Sequence, residues 1–499
     1  MGVPGVNAIK RAWTAAKGAP MAVRARFDAA TTHDGNRRHW SAADMLSADA
    51  AVSPEVRRTL RARGRYETAN NSYARGIVLT LANDTVGTGP RLQMTTGDAE
   101  ADAAVEGAFA SWSESVGLPE KLRTMRMARA ESGEVFGILT SNPALASAVK
   151  LDVKLIEADQ VASPAMGLSS PKRVDGIEFD AAGNPIAYDV LRRHPGDSFA
   201  TGGGVLGHEF DRVPAEAVIH YFRADRPGQN RGIPDITPAL PLFAQLRRYT
   251  LATLGAAETA ANFAGTLSTD SPAFGEADDV QPMDVIDLEP RAMLTLPAGW
   301  KMQQMRAEQP ATTYAEFKSE ILNEIARVFN MPFNVAAGNS SGYNFASGKL
   351  DHQVYFKSIR VEQDVLVRLV LDRLFAAFLD RAVLVSDLLP VRVRSMIAGG
   401  RLPSHQWFWD GMGEIDRGKE ANADTKLLDR NAITLADIYA RRGEDWEVKI
   451  RQRAKEKALM TELGVTDTDV AEGLGAGTGD SATAALVDVV REEIEDGKR

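Results

Sequence analysis

The chain has 499 residues, of which 44% are hydrophobic and 25% are charged, and its formal net charge is −9. This length exceeds what one hydrophobic core usually organises, so two or more globular domains are expected. The sequence contains no cysteine, which excludes disulfides, thiol catalysis and cysteine-ligated metal sites and fits a reducing compartment. The acidic balance argues against a protein that holds nucleic acid on a broad basic face.

The sequence shows no secretory signal at the N-terminus and no membrane-spanning run. The N-terminus is basic but lacks the apolar core of a secretory signal. No charge-free run approaches the roughly 20 residues that span a bilayer. These patterns predict that the protein has no membrane partner.

The N-terminal part is predicted to be an arm followed by helices. Residues 1–49 mix arginine, alanine and glycine with isolated aromatic residues and show no sustained period. Ser53 and Pro54 then form a helix start, and the helix is expected to continue to Val86. Its arginines could bind phosphate, but a solvated or intersubunit face is the favoured interpretation. They are Arg57, Arg58, Arg61, Arg63, Arg65 and Arg75.

The middle of the chain changes from helical periodicity to a period of two. Two helices are predicted first, over 99–116 and after Pro119. An Ala-Ala-Gly-Asn-Pro segment between two apolar runs is a hairpin signal. The sequence therefore predicts a small antiparallel β region inserted in a helical protein, with strands over 134–140, 149–155, 176–179, 186–191 and 218–222.

Residues 235–265 form an unusually apolar helical stretch. The only charged residues in this stretch are Asp235, Arg247, Arg248 and Glu258, and its second half is rich in alanine. A helix with so small a polar face must be covered on nearly all sides. Packing between subunits is the favoured explanation, with Ala256 and Ala260 as contact residues, and a core helix of a monomer is the alternative.

An acidic segment, a second helix and a small polar segment follow. Residues 268–290 are acidic and loop-like, and they belong to an irregular stretch of about fifty residues, a length that is usually functional. Apolar spacing predicts a helix over 314–329, which Pro332 ends. A long helix is predicted over 348–379. The segment between them is small and polar and also fits an ordinary surface loop.

The C-terminal part is predicted to be helical. Helices are expected over 416–430, 434–442 and 445–463. Residues 464–484 are rich in glycine, threonine, aspartate and alanine and are expected to be flexible. Residues 486–499 could form a short amphipathic helix, and 464–499 together are predicted to be a flexible C-terminal tail.

No catalytic, cofactor or metal site is predicted. Gly338, Gly342 and Gly348-Lys349 resemble a phosphate-binding loop, but Leu350 stands where Ser or Thr would hold Mg²⁺ and no strand precedes. The Gly87-Thr88-Gly89 segment lacks the third glycine of a dinucleotide fingerprint. The seven histidines are scattered, with none at the spacing of a zinc protease.

Several sequence blocks resemble the lambda-like family of phage portal proteins, both in their residues and in the order in which they follow one another along the chain. The most specific block is Arg226-Pro227-Gly228-Gln229 with Arg231-Gly232. The others are Asn70-Asn71 with Gly76, Val86-Gly87-Thr88-Gly89-Pro90, Gly133-Glu134-Val135-Phe136, Leu155-Ile156-Glu157-Ala158-Asp159, Val218-Ile219-His220-Tyr221-Phe222, Gly342-Tyr343-Asn344-Phe345-Ala346-Ser347-Gly348 and Trp407 with Trp409-Asp410.

The resemblance implies an α+β, mainly helical, portal-type subunit that forms a ring oligomer of about twelve copies around a central channel. It implies an N-terminal arm over 1–49, a wing over 50–233 and a stem helix over 234–265. A clip over 266–312 and a second stem helix over 313–329 would follow. A tunnel loop over 330–347, a long helix and crown over 348–463 and the tail over 464–499 complete the expected order.

The same resemblance implies the functional residues and partners. Double-stranded DNA would pass through the channel without sequence readout, near Asn339, Ser340, Tyr343, Asn344 and Lys349. Many relatives carry an arginine shortly after the tyrosine, where this chain has Ser347-Gly348-Lys349. The clip would dock the terminase and the head–tail adaptor through Asp278, Asp279 and Asp284. Capsid and scaffold proteins are further expected partners, at a capsid vertex of the virion and in the host cytoplasm during assembly.

Two other classes remain open at this point. One is a different structural or adaptor protein of a phage head, which would lack a ring with a through-channel. The other is a nucleic-acid enzyme whose site the sequence does not reveal, which would show nuclease or ATPase activity.

Overall fold

The computed structural model describes residue 35 and residues 37–163, 173–197, 209–262, 266–269, 300–303, 311–411 and 417–464. Within these ranges the chain is mainly helical with small antiparallel sheets, which confirms the predicted α+β class. It divides into two units, residues 1–51 and 52–499. The described part of the first unit contains one short helix, α1 (Ala48–Ala51).

The second unit begins with helices and a short strand. They are α2 (Pro54–Asn70), α3 (Ser72–Val86), β1 (Arg91–Met94), α4 (Ala99–Val116) and α5 (Leu118–Ser132). The prediction of one helix from Pro54 to Val86 is wrong at Asn71, which is extended at φ −123° and ψ 118°. The Asn71 side chain accepts hydrogen bonds from the N–H groups of Tyr73 and Ala74 and so starts a new helix.

The β region consists of two antiparallel sheets. Its strands are β2 (Glu134–Ser141), β3 (Leu151–Glu157), β4 (Arg173–Val174), β5 (Ile177–Phe179), β6 (Pro185–Leu191), β7 (Phe210–Pro214) and β8 (Val218–Phe222). One sheet has the order β3-β2-β8 and the other β4-β5-β6-β7. The predicted strands and the hairpin β5–β6 are confirmed.

Two helices and a small hairpin-like strand pair follow. They are α6 (Leu240–Asn262), β9 (Thr266–Thr269), β10 (Trp300–Gln303) and α7 (Ala311–Val328). β9 and β10 pair antiparallel, so they join the C-terminal end of α6 to the segment before α7. Aromatic contacts hold the helices together, since the Tyr249 ring lies 5.7 Å from Tyr314 and 4.2 Å from Phe317.

The next helices make the predicted polar loop shorter than expected. They are α8 (Phe333–Ala337), α9 (Phe345–Leu366) and α10 (Asp372–Ala382). A π-helical turn, Val367–Leu371, connects α9 to α10. Because α8 lies within 330–347 and α9 begins before residue 348, the irregular part of 330–347 is reduced to residues 330–332 and 338–344.

The C-terminal part contains four helices and a strand. They are α11 (Val391–Ala398), β11 (His405–Phe408), α12 (Arg417–Asp429), α13 (Leu435–Arg441) and α14 (Trp446–Leu463). The last three helices confirm the predicted ones. The helix α11 and the strands β1 and β11 were not predicted from the sequence, and the two strands pair antiparallel with each other.

Three hydrophobic clusters organise the described residues of this unit. The first joins α4, α5, β2 and β3 to the π-helical turn, α10 and α11. The second joins α3 to α6, α7, α8 and α9, and the third lies between the two sheets. Within the first cluster the Phe378 ring lies 5.3 Å from both Phe109 and Trp112. None of the helices described here combines the length and the apolar content that a membrane crossing requires.

Truncation of Phe378 tests this aromatic cluster. Phe378 is fully buried, so Phe378→Ala should lower the free energy of unfolding by about 3–5 kcal/mol. Denaturant titration measures the difference. Leu384→Ala is the matched control, because Leu384 is 78% exposed and its change should stay within about 0.5 kcal/mol. Equal effects of the two substitutions would contradict the packing described here.

Candidate functional surfaces and the buried charge network

Glu134, the first residue of β2, is the centre of a buried charge network. Its side chain is fully buried, and its carboxylate accepts hydrogen bonds from Arg231 Nε at 2.9 and 3.0 Å and from Gly232 N at 3.0 Å. The His220 Nε2 atom lies 2.9 Å away, and the Arg61 guanidinium makes a further contact. Burial by itself would raise the pKa of Glu134, but Arg231, His220 and Arg61 outweigh it and hold the pKa well below its ordinary value.

Arg231 extends this network to the surrounding backbone. Its guanidinium donates to the carbonyl oxygens of Val161 at 3.1 Å, Asp175 at 2.6 Å and Ala158 at 3.1 Å. A buried charge is tolerated only when it is paired and hydrogen-bonded. Arg231 meets that condition, so it fixes the loop after β3 and the turn between β4 and β5 against β2.

Two arginines of α2 belong to the same network. Arg57 and Arg61 are only 2% and 5% exposed. Arg57 pairs with Asp175, and Arg61 pairs with Glu134 and Asp159. The interpretation of these two arginines as a solvated or intersubunit face is therefore wrong. Helical periodicity locates them on one side of α2 but cannot show that carboxylates some 70 to 120 positions later cover that side.

The network requires two glycines where the backbone segments meet. A Cβ atom on Gly232 would lie 2.1 Å from the Gly133 carbonyl oxygen. Gly133 has a φ of +89°, and a Cβ there would lie 2.6 Å from the Ile233 carbonyl carbon. Any side chain at either position would push these backbones apart. The close approach places the Gly232 N–H on the Glu134 carboxylate.

A second charge cluster connects α5, the start of the α6 segment and α9. Asp235, which is 5% exposed, lies 3.0 Å from Arg126 Nη1 and 3.1 Å from Arg223 Nη1. Arg129 Nη2 donates to Glu362 on α9 at 2.9 Å, and its Nη1 donates to the Tyr221 hydroxyl at 3.0 Å. Burial raises the pKa of Asp235, but the three arginines outweigh burial and lower it. This cluster fixes the base of α6 relative to the sheet and α9.

One group among the described residues has the arrangement of metal ligands. Ligand atoms of Glu157, Asp159 and His194 lie within 4.8 Å of one another. However, Arg65 Nη2 lies 3.0 Å from Glu157 and 2.7 Å from Asp159. A fixed guanidinium already neutralises these carboxylates, so a divalent cation would meet both competition and repulsion. The group is an ion-pair cluster at the edge of the charge network.

The sequence blocks that carry the family resemblance meet in pairs. Glu134 from one block binds Arg231 from the most specific block. Asp410, from the C-terminal block, accepts from Thr88 Oγ1 at 2.7 Å and from Arg91 Nη2 at 3.0 Å. A Cβ on Gly87 would lie 2.2 Å from the Asp410 carboxylate, which explains the glycine there. These residues hold segments that are far apart in the chain.

The predicted packing residues lie on α6. Beyond Leu246, which is buried against α7, the helix carries exposed apolar side chains, with Leu251 at 61% and Leu254 at 55% exposure. Ala256 is half-buried. Ala260 lies on the same helix, and nothing is described of its side chain. Arg247 anchors α6 on α2 by an ion pair to Glu67 at 3.0 Å.

The predicted loop residues lie between α8 and α9. Asn339, Ser340 and Asn344 are exposed and Tyr343 is half-buried beside Gly348. The Asn344 Oδ1 atom accepts from the Ser347 N–H at 2.9 Å and so caps α9. Asn334 Nδ2 lies 3.4 Å from Ser340 Oγ and 3.2 Å from His352 Nε2, which ties the loop to α9. Lys349 is exposed in the second turn of α9.

The three acidic residues predicted to dock a partner, Asp278, Asp279 and Asp284, lie outside the described residues. Among the described residues, the predicted loop residues lie together between α8 and the second turn of α9. The structure also brings together the buried charge network, which was not predicted from the sequence. The sequence feature that could have indicated this network is a charged residue inside an otherwise apolar block, such as Glu134 in Gly133-Glu134-Val135-Phe136.

The fold and the charge network define a class, a structural α+β subunit whose buried charges fix its parts relative to one another. The family described as phage portal protein, lambda family, matches residues 33–363. Since this match covers well over half of the chain, the chain belongs to the lambda family of phage portal proteins. The alternative of a different phage head or adaptor protein is thereby set aside.

Similar proteins come from a phage and from a gene transfer agent particle. A probable portal protein of Halomonas phage phiHAP-1 is 26% identical over 435 residues, which cover 82% of this chain and 81% of the relative. A chain from the virion of a native gene transfer agent particle is 13% identical, with 79% of this chain and 94% of that chain covered and a TM-score of 0.43. A chain from the neck of that particle, computed with C12 symmetry, is 15% identical, with 77% and 90% covered and a TM-score of 0.42.

Replacement of Glu134 by glutamine tests the charge network. Glu134→Gln removes the charge but keeps the shape. Arg231 and Arg61 lose the buried carboxylate that they share, and among the described residues only Asp175 and Asp159 remain as their counter-ions, so the free energy of unfolding should fall by about 3–5 kcal/mol. Glu157→Gln is the control, because the Glu157 side chain is 58% exposed and its loss should cost at most about 1 kcal/mol.

The pH dependence gives a second measure of the same substitution. The folded-state pKa of Glu134 lies well below its ordinary value of 4.5. Its contribution is therefore fully present above that value and is lost as the pH falls through the folded-state pKa. The stability difference between the wild type and Glu134→Gln should shrink on acidification. A difference that is constant with pH would contradict the proposed ion pairing.

Proposed function

We propose that the chain forms a closed ring of about twelve subunits at a capsid vertex, and that double-stranded DNA enters and leaves the capsid through its central channel. In this proposal α6 and α7 are the stem helices, and residues 50–233 form the wing. Residues 266–312 form the clip, 330–347 the tunnel loop and 348–463 the long helix and crown. The ring would assemble in the host cytoplasm and reside in the virion.

The observation that carries this proposal is the exposed apolar surface of α6 in a chain that belongs to the portal family. Leu251 and Leu254 protrude from a helix whose second half is rich in alanine, and α7 covers only one side of it. Exposed apolar side chains of this size on neighbouring helical turns are typical of an interface. A neighbouring subunit of a ring would cover them, and the small residues would let its backbone approach closely.

Charge supports a conduit rather than a tight DNA-binding protein. Many phosphate contacts from lysine and arginine would hold the duplex in place. Two groups of arginines in this chain instead form ion pairs within the subunit, one group around Glu134 and the other around Asp235. An acidic subunit repeated around a ring repels the backbone of DNA, and a few cationic groups keep the duplex centred.

The ends of the ring would meet different partners. We propose that the clip residues Asp278, Asp279 and Asp284 dock basic residues of the terminase during packaging and of the head–tail adaptor afterwards. Capsid and scaffold proteins would contact the wing. The terminase would supply the ATP-driven step, so the portal itself would carry no enzymatic activity, in keeping with its membership of a structural family.

Ring assembly is tested at Ala256. Ala256→Arg places an unpaired charge on the half-buried side of α6, where the neighbouring subunit would desolvate it. Mass photometry should show the wild type as a ring of about twelve subunits and the variant as monomers or small species. Ala256→Ser keeps a small uncharged side chain and should assemble as the wild type does. Rings of normal mass formed by Ala256→Arg would contradict the assignment of α6 to the interface.

DNA passage is tested at the loop between α8 and α9. About a dozen copies of Asn339, Ser340, Tyr343 and Asn344 would surround one duplex, and Lys349 would offer a cation near its phosphates. Lys349→Ala should leave ring mass unchanged and lower the amount of DNA packaged per particle. Lys426→Ala, which removes an exposed lysine of α12, is the control. Normal packaging by Lys349→Ala would show that Lys349 makes no necessary DNA contact.

A further inference from the structure

A cleft of about 1200 Å³ lies between β1, α4 and the first turns of α14. α4 and α14 form its two walls, and β1 contributes to its floor. This volume exceeds that of most small-molecule sites, which reach about 1,000 Å³. The proposed passage of DNA uses none of its residues, so the cleft needs a separate explanation.

The lining of the cleft is strongly acidic. Its basic side chains are already paired, with Arg91 3.0 Å from Asp410, Lys449 2.8 Å from Glu444 and Arg451 2.9 Å from Glu447. The lining carboxylates outnumber these bases and are Asp102, Glu106, Glu114, Glu120, Glu444, Asp445 and Glu447. The cleft therefore carries an excess of negative charge that its own bases leave uncompensated.

Burial and the neighbouring carboxylates around the cleft raise the pKa of Glu106. Burial raises the pKa of Glu106, and Asp445, Asp102 and Glu447 raise it further, although a hydrogen bond from the Met94 N–H acts in the opposite direction. An incoming cation would relieve this repulsion.

Strand addition does not explain the cleft. The Met94 N–H donates to Glu106 at 2.7 Å, and the Thr96 N–H donates to Asp102 at 3.2 Å. Side chains of α4 thus occupy donors on the edge of β1 that faces away from β11, and an occupied edge does not accept another strand. The occupant must recognise side chains rather than this backbone edge.

The wall formed by α4 is shaped for close approach of a helix. Ala99, Ala103, Gly107 and Ala110 line the cleft at spacings of three and four and are exposed. Apart from the backbone of α4 itself, no atom of the described residues lies within 4 Å of the position that a Gly107 Cβ would take. A glycine inside a helix is destabilising relative to alanine, and nothing in the described part of the chain requires one here. Small residues at this spacing let a second helix pack at an interaxial distance of about 8–10 Å.

We propose that this cleft binds a basic amphipathic α-helix of a partner protein. The helix lies along the small-residue face of α4, and its lysine or arginine side chains pair with Glu106 and Asp102 on one side and with Asp445 and Glu447 on the other. Helix-in-groove binding of this kind reads residues at helical spacing. The interaction concerns the outer surfaces of α4 and α14 and holds whether or not the subunits close into a ring.

A pair of designed peptides tests the charge complementarity. One is an amphipathic helical peptide of about 18 residues, a length that sustains helicity, with lysine on its polar face. The other carries glutamate at the same positions. Fluorescence anisotropy with the full chain should show binding of the lysine peptide that weakens at least about tenfold on going from low to high salt. Equal binding of the two peptides overturns the proposal.

Glycine substitutions locate the contact. Gly107→Leu fills the path of the incoming helix and should weaken binding of the lysine peptide at least about tenfold, while it favours the α4 helix itself. Gly76→Leu is the matched control, because Gly76 is also exposed inside a helix with no atom within 4 Å of its Cβ position, and it should change binding less than about twofold. Unchanged binding in Gly107→Leu overturns the proposal.

A charge variant completes the test. Glu106→Gln combined with Glu447→Gln retains an acceptor for the Met94 N–H but removes two charges, so it should weaken binding and reduce its salt dependence. Mass photometry of Gly107→Leu tests whether a second copy of this chain, rather than a separate partner protein, occupies the cleft. If the wild type binds neither peptide and Gly107→Leu alone lowers the assembly mass, the cleft holds a second copy of this chain, and the proposal of a separate basic partner is overturned.

Discussion

The buried carboxylate of Glu134 is the constraint on which the arrangement of this subunit depends. One acidic group receives Arg231, Arg61 and His220 in the interior of the protein, where an unpaired charge would be very costly. These partners come from a helix, a strand and a loop. Each element can take its place only if the others have taken theirs. The network therefore specifies geometry as well as contributing to stability, and a second cluster around Asp235 continues it to α6 and α9.

Much of the fold could be predicted from local sequence signals, whereas its long-range contacts could not. The period of two gave β3, whose residues alternate between buried and more exposed positions, and the amphipathic spacing gave α7. The break at Asn71 escaped because apolar spacing continues across it, and only a side-chain cap marks the interruption. β1 and β11 escaped because each is four residues long and gains its identity from a distant partner.

The candidate sites divide along the same line. The alanine-rich, charge-poor composition of α6 predicts that the helix packs against another surface, and the exposure of Leu251 and Leu254 is compatible with that prediction. Arg57 and Arg61 look like solvated charges by composition, and only the folded chain shows their carboxylates. The local contacts of the loop residues do not show their function. Asn344, for example, caps α9 by accepting from the Ser347 N–H, whether or not DNA passes beside it.

The pairing of β1 with β11 has a consequence for the time course of synthesis. Gln93 meets Gln406 across 313 positions of chain, and a ribosome adds about 5–20 residues per second. The first strand is thus made tens of seconds or about a minute before its partner exists. Meanwhile Glu106 and Asp102, only 12 and 6 positions away, are available to occupy donors of one of its edges. In the nascent chain these two side chains can therefore protect one edge of β1. The other edge of β1 has no partner until β11 has been synthesised.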